Sequence, residues 1–440
     1  MGQEGQVRAL PRRAVVVGAG IVGLSVAWHL QRRAVEVAVV DRDDVAAGSS
    51  WGNAGWISPG LVAPLPEPSV RRVALGAFTR PSSPVYVPPT LDPGAWRFLV
   101  AFALRCTAAS WKGALPGLVA LGRQALDAYD ELADSGVRAE TTAAPVVAAF
   151  AAPSDAATLR HELEMLARAG QPVTWCELDG DGARDLAPHL SGRVASALRI
   201  DGQRFVDPGA YVRSLADAFT SLGGQIRTGV DIQALEQHHC GVRVLCSGEE
   251  TMDADVVVVA AGAWIDRLVA PAAGGVSVRA GRGYSFTVDT EVPPSCPVYL
   301  PQARLACTPY RGALRVAGGM EITAPGAAID RRRIRAMENA ARPFLSGVDW
   351  ATRRDEWVGS RPVTADGLPV VGRTRDPHVF VAGGHGMWGM TLGPVTGRLL
   401  ASLVADGGPV AELAPFDPGR RVRPLRQGRT RRPRPGAELP

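Results

Sequence analysis

Apolar residues in this chain recur with two periods, and the switches between them mark out its elements. VVVGAGIVGLSVAWHL, residues 15–30, opens as an apolar strand, passes three glycines spaced G-x-G-x-x-G, and continues as an apolar run that reads as a helix. VEVAVVD follows as a second strand closing at Asp41. Residues 69–135 read as mostly helical, with Leu118, Leu121, Ala125, Tyr129 and Leu132 on one face. Ser154 precedes a further helix, DAATLRHELEMLARAG, which Gly170 ends. VDPGAYVRSLADAFTSLGG predicts a helix capped by Asp207, begun by Pro208 and stopped at Gly223 and Gly224. Strands are expected at 225–232, at 242–246 and in ADVVVVAAG, which ends at Gly262. There the run Val256–Val259 is apolar on both faces, which suits a return to the first sheet. Short strands between Gly and Pro from Val276 to about Ala317 predict a second, mixed or antiparallel sheet. HVFVAGGHGMWGMTLGPVTGRLLASLVADGG predicts a strand, a glycine-rich turn and a helix from about Thr391 to Ala405.

The order of these elements predicts an α/β fold. A Rossmann-type dinucleotide-binding domain is assembled from 12–75, 195–275 and 359–410, and an α+β substrate domain of 76–194 and 276–358 is interleaved with it. In the first glycine turn, Gly18 permits the tight bend, Gly20 lets the backbone approach a pyrophosphate, and Gly23 lets the helix settle on the sheet. The helix's first-turn amides then face the phosphates with roughly half a positive charge behind them. Asp41 stands about 20 residues on, where a carboxylate accepts hydrogen bonds from a ribose.

Charge changes this picture little once it is located. The 440 residues carry a net +5, but 419–440 holds eight arginines and one acid, so the rest of the chain is at −2. That Arg/Pro-rich tail cannot bury enough apolar surface to order itself and is expected to be disordered. No nucleic-acid partner is expected. The six cysteines show no C-x-x-C pair and no metal-ligand spacing, so reduced thiols and no metal centre are expected. The first residues lack the apolar core of a signal peptide, and the apolar run after them is interrupted by the glycine turn. A cytoplasmic setting is expected, with room for peripheral contact at the inner face of a membrane. Lys112 is the chain's one lysine, so Schiff-base chemistry would have to use it.

A nicotinamide enzyme needs only its contiguous half-sheets, whereas here a second glycine turn, far along the chain, also precedes an apolar helix. Such a turn can meet the far end of a longer cofactor, which points to FAD. A helix N-terminus at Thr391 would direct positive potential at the flavin N1/O2 region and favour the reduced ring.

GSSWGNAGWISPG, VVVVAAGAWIDRL, RGYSF and RPVTADGLPVVGRT…VFVAGGHGMWGMTLGP, with the first glycine turn, resemble the FAD-dependent D-amino-acid dehydrogenase group of the D-amino-acid oxidase superfamily, which includes glycine and sarcosine oxidases. The resemblance runs from about residue 12 to 407. It implies noncovalent FAD held by Gly18, Ala19, Gly20, Ile21, Val22 and Gly23, with Asp41 and Arg42 after the second strand. It adds Ser49, Ser50, Asn53, Ala54 and Gly55 along the cofactor, and Val230, Ala261 and Gly262 at its nucleotide half. Gly384, Gly386, Gly389, Met390 and Thr391 belong to the second turn.

The implied reaction oxidises the C–N bond of a small amino acid by hydride transfer to flavin N5, giving an imino acid that hydrolyses to a 2-oxo acid and ammonia. The resemblance favours a D-amino acid, with a secondary amine such as sarcosine, glycine or a proline derivative as the alternative. A substrate carboxylate is costly to bury unless a fixed cation meets it. The resemblance gives that role to Arg361, against the plain reading of an ion pair with Asp366 or Asp355. Tyr284 is implied near the substrate, against a core aromatic with a satisfied hydroxyl. His385 is implied to hydrogen-bond flavin or substrate, against a loop cap. Met387 and Trp388 wall the pocket. Arg282 stands where related sequences often carry lysine. With Lys112 in the helical region, a dehydrogenase passing electrons to a quinone or another carrier is expected.

Two rival readings stand beside this one. GSSWG satisfies the G-x-S-x-G elbow of hydrolases, but NAGWISPG after it cannot form the helix an elbow requires. A noncatalytic FAD-binding protein is the alternative of another class, because cofactor motifs do not establish turnover.

Overall fold

The computed structural model describes residues 11–70, 76–78, 80, 82–269 and 275–420. Three distant stretches of chain meet in a six-stranded sheet, ordered Gln225–Arg227, Glu36–Val40, Arg13–Val17, Val256–Val259, Val379–Gly383, Val370–Arg373. The first five strands are parallel and the last is antiparallel. Valine runs dictate this arrangement: a strand covered on both faces reads as continuously apolar, and all four residues of Val256–Val259 are buried.

Two helices lie side by side on this sheet, Ile21–Gln31 after the first strand and Gly389–Asp406 after Val379–Gly383. Their backbones nearly touch, since a Cβ on Gly397 would fall 2.5 Å from the carbonyl carbon of Ser25. The helix Pro208–Ser221 begins as its sequence predicts, Asp207 accepting from the Ala210 amide at 3.1 Å and Pro208 taking the first position.

The second sheet runs Val348–Thr364, Val278–Thr290, Ala313–Ile322, Leu305–Tyr310, Val298–Leu300, Val146–Phe150, Ser196–Ile200, Trp175–Asp179, with Val85–Tyr86 added beside Ala313–Ile322. It is mixed, as expected, but two of its strands are long, 13 residues in Val278–Thr290 and 17 in Val348–Thr364. The glycines that suggest breaks lie inside these ladders, where the register shifts between Arg282 and Tyr284, so they mark a bulge and not an end.

Other boundaries move too. Ser196–Ile200 pairs with Val146–Phe150 and Trp175–Asp179, so the stretch expected to rejoin the nucleotide sheet from 195 first completes the second sheet. Residues 359–364 likewise lie within the second sheet. The strands Ile232–His238, Gly241–Cys246 and Thr251–Ala254 form an antiparallel sheet of their own, because their alternating exposure leaves one face to solvent. The single helical face expected across 118–132 is split between Ala108–Gly122 and Ala125–Asp134, although all five apolar residues are buried. At the start of the expected tail, Arg420 pairs with Asp366 at 3.0 Å and donates to the Leu368 carbonyl. The rest of the tail and the boundary at 75/76 fall outside the described residues.

The helix contact yields a test. Gly397→Ala places a methyl against backbone that cannot yield, and overpacking of this kind costs about 1–3 kcal/mol. Gly113→Ala, in the interior of Ala108–Gly122 with open space around it, is expected to stabilise by roughly 0.5–1 kcal/mol. Urea unfolding followed by circular dichroism separates the two signs.

Candidate active site

The first glycine turn is built against the neighbouring strand. Gly18 sits at φ +115°, and a Cβ there would come 2.5 Å from the Ala260 carbonyl oxygen. The helix that follows has no side-chain cap and no acid in its first turn, so the positive end of its dipole is left facing outward. Ser50, the serine of the rejected hydrolase elbow, accepts from the Ile21 amide at 3.1 Å and braces this turn. Asp41 accepts from the Ala19 amide at 2.7 Å and from the Asp43 amide at 2.9 Å, and burial raises its pKa. Its carboxylate braces the turn as well as facing the adjoining space.

The second turn is made the same way. Gly384 and Gly386 adopt φ +71° and +56°, and the Gly386 amide donates to the Pro362 carbonyl at 2.8 Å. The helix Gly389–Asp406 also starts without a side-chain cap or an early acid. Both turns line one cavity that opens to solvent. Both helix N-termini therefore open on a single space. Its residues fit a dinucleotide, which would place its pyrophosphate charge at one such terminus.

At one end of the cavity, Val230, Asp231, Ala261, Gly262 and Trp264 form the wall. The Arg42 guanidinium lies 3.8 Å from the Trp264 ring centroid, and Arg267 pairs with Asp231 at 3.2 Å. Trp264, Asp231 and Arg267 were not singled out from the sequence, although all three lie within five residues of positions that were. At the other end are Ser49, Asn53, Trp357, Ser360, Arg361, His385 and Met387. Ser49 donates to the Ser360 carbonyl at 2.5 Å, and Asn53 donates to the Ser49 carbonyl at 3.1 Å, so the loop after Gly48 is fastened to the second sheet.

Gly20, Ile21, Val22, Ser50, Gly386, Gly389 and Met390 line the cavity as well. Ala19, Gly23, Ala54, Gly55, Gly384, Thr391, Trp388 and Tyr284 do not. Gly55, at φ +72°, shapes the turn under Asn53. Thr391 ties down the segment 56–58, accepting from the Ser58 amide and donating to the Trp56 carbonyl. Trp388 donates its indole N–H to the Ala63 carbonyl at 2.8 Å.

Strand parity separates the remaining candidates. Arg361, Gly359 and Trp357 pair with Gly281, Gly283 and Ser285, which puts Arg361 and Trp357 on one face of the second sheet, toward the cavity. The Arg361 guanidinium lies across Gly283, where a Cβ would come within 2.1 Å of its Nη2, and donates to the Gly319 carbonyl at 2.5 Å. Neither expected carboxylate holds it, for Asp366 is taken by Arg420 and Asp355 is exposed. Among the described residues Arg361 has no ion pair, and burial brings its pKa down to about 10, which still leaves it charged at neutral pH.

Tyr284 and Arg282 project from the other face. Tyr284 is buried among Phe286, Ile334 and Met337, and its hydroxyl donates to Glu321. Arg282 pairs with Glu321 at 3.5 Å and donates to the Ala327 and Ala328 carbonyls. The structure thus places Tyr284 as a core aromatic with a satisfied hydroxyl, and Arg282 beside it. Trp357 was missed, yet it stands four residues before Arg361 on the same strand, so parity would have found it.

His385 lines the cavity with its Nε2 at 2.9 Å from the Thr396 hydroxyl, while its Nδ1 is buried without a protein partner. Burial lowers its pKa to about 4, so the ring is neutral at pH 7.

Comparison with known proteins agrees with this geometry. The family model of FAD dependent oxidoreductases, DAO, matches residues 13–403. A D-amino acid dehydrogenase of Cereibacter sphaeroides is 31% identical over 425 residues, covering 95% of this chain and 97% of the relative. Among solved structures, glycine oxidase from Geobacillus kaustophilus superposes with a TM-score of 0.67 at 22% identity, over 93% of this chain and 99% of that one. L-proline dehydrogenase from P. horikoshii gives 0.68 at 15% identity, over 93% and 97%.

The neutral histidine carries a pH signature. His385 holds fewer protons folded, at about 4, than unfolded near 6.5, so it contributes stability above pH 6.5 that is lost as pH falls toward 4. Relative to His385→Asn, the wild-type protein is expected to lose ~1.4 kcal/mol of unfolding free energy per pH unit across that window. Denaturant titrations of both proteins at several pH values check the difference in slope.

Proposed function

The chain belongs to the FAD-dependent oxidoreductase family DAO, and from that premise we propose that it oxidises the C–N bond of a small D-amino acid, giving an imino acid that water hydrolyses to a 2-oxo acid and ammonia. The observation that carries this reading is Arg361, a charged guanidinium with no ion pair among the described residues, on the wall of the cavity that both glycine turns line. The cofactor, FAD, supplies a two-electron acceptor when bound. No cysteine lines the cavity, in keeping with noncovalent attachment.

The chain's own residues have the remaining work. The amides of Gly20 and Val22 would meet the pyrophosphate, the Ile21 amide being taken by Ser50, and Arg42 on Trp264 would border the nucleotide half. The N-terminus of Gly389–Asp406 lends positive potential to the ring end. Arg361 binds the substrate carboxylate through two charge-assisted hydrogen bonds and so orients the Cα–H. Gly283 leaves the guanidinium room to lie flat. His385, neutral, borders the cavity without adding charge and keeps Nδ1 without a protein partner. Trp357 and Met387 bound the substrate space.

The electron acceptor we assign is a quinone or similar carrier and not oxygen. Lys112, the chain's one lysine, is exposed on the helix Ala108–Gly122, and no lysine lines the cavity. We propose a division into a cofactor half and an interleaved substrate half, with 196–200 and 359–364 joining the latter by sheet membership.

Anaerobic mixing with a panel of D-, L- and N-methyl amino acids tests the assignment through loss of the flavin absorbance. Small D-amino acids are expected to bleach the protein at least about tenfold faster than their L enantiomers, a gap of ~1.4 kcal/mol in barrier. Bleaching by N-methyl amino acids alone would move the assignment to secondary amines, and no bleaching at all would leave only a binding protein. Arg361→Ala is expected to reduce kcat/KM for carboxylate substrates by about 10- to 100-fold, and an effect within about tenfold would remove the clamp. Gly283→Ala is expected to act mainly through KM, because it displaces the guanidinium and leaves its charge.

A further inference from the structure

Of the eight large apolar side chains exposed among the described residues, five fall between Phe78 and Leu104. They form one patch around the helix Pro93–Arg105. Trp96, Val100 and Leu104 recur every four residues and so share a face, at 46%, 57% and 54% exposure. Phe78 stacks on Trp96 with ring centroids 6.0 Å apart, and Leu91, just before the helix, is 97% exposed. The opposite face of the same helix, through Phe98 with Phe102, packs on Met320 and Val363 of the second sheet. This helix is therefore apolar on both sides while the protein covers only one. A helix at a protein surface ordinarily turns polar residues outward, and an uncovered apolar face of this kind marks a contact.

The charge around the patch says what kind of contact. From Pro93 to Leu126 there is no acid and there are four cations, Arg97, Arg105, Lys112 and Arg123. Between Glu67 and Asp127 the one carboxylate is Asp92, and it is already paired with Arg279 at 3.2 Å. Arg97, beside Trp96, is exposed, as are Arg80 and Lys112. An apolar face with tryptophan, on a stretch of chain that carries cations and no acid besides the paired Asp92, matches the surface of a bilayer containing anionic phospholipid. A second copy of this chain fits worse, because a two-fold contact would set Arg97 and its neighbours against their own counterparts.

We infer that the face formed by Phe78, Leu91, Trp96, Val100 and Leu104 rests on an anionic phospholipid bilayer, its side chains entering the headgroup region while the cations meet the lipid phosphates. No helix among the described residues is long and apolar enough to cross a membrane, so the contact is peripheral. The inference is independent of which amino acid is oxidised. None of these five residues lines the cavity.

Co-sedimentation of the full-length, FAD-loaded protein with vesicles tests it, using phosphatidylcholine alone and phosphatidylcholine with phosphatidylglycerol. The wild-type protein is expected to partition onto the anionic vesicles, less so at high salt, and weakly onto phosphatidylcholine. Val100→Glu with Leu104→Glu is expected to lower that partition at least about tenfold while flavin absorbance and turnover with a soluble dye are unchanged. Arg97→Glu is expected to lower the anionic preference separately. Because the Arg-rich tail is intact in every protein compared, partition unaffected by the double substitution would assign binding to the tail and overturn the inference. It would equally be overturned by absence of wild-type binding, or by sedimentation velocity showing a dimer that the double substitution dissolves.

Discussion

Everything at the centre of this protein depends on two helices being held with their backbones almost in contact. Gly397 lets Gly389–Asp406 approach the backbone of Ser25, and the strands that feed the two helices are separated in the sheet only by Val256–Val259. That geometry brings both helix N-termini to the same edge of the sheet, the edge where parallel α/β folds place their ligands. Neither helix has an acid in its first turn or a cap from its own N-cap side chain, although Ser50 takes the Ile21 amide. A protein that concentrates unsatisfied amides on one cavity has left them for a ligand to satisfy.

The second sheet supplies the complementary element through parity along its strands. On the face toward the cavity stand Arg361 and Trp357. On the opposite face Tyr284, Arg282 and Glu321 satisfy one another beneath the helix Arg331–Ala341. The separation keeps one guanidinium available, since the acid that could have quenched Arg361 in its own segment, Asp366, is occupied by Arg420. At this end of the cavity Arg361 is the one arginine, its charge is strengthened by burial, and its lowered pKa is the mark of that same burial.

The cavity's neutral groups matter for the same reason. His385 would add a second charge if it were protonated, and its burial prevents that at physiological pH. The ring end therefore presents a helix dipole, one cation and a neutral imidazole, a combination suited to orienting a carboxylate beside an electron-accepting ring.

Local pattern was enough to identify the valine strands, the two glycine turns and the Asp207-capped helix, because each rests on short-range sterics, periodicity or a motif a few residues long, whereas the candidacy of Arg361 came from the resemblance to a known family. Other features depended on pairings between residues far apart in the chain. Glycines inside Val278–Thr290 resemble strand ends until the partner strand reveals a bulge. Tyr284 resembles a pocket residue until register shows it facing the core. Thr391 and Trp388 adjoin the second turn in sequence, yet their polar atoms are committed to residues 56–58 and 63. Whether a side chain faces a cavity, a core or solvent is decided by what the rest of the chain places opposite it, and that is a property of the assembled sheets.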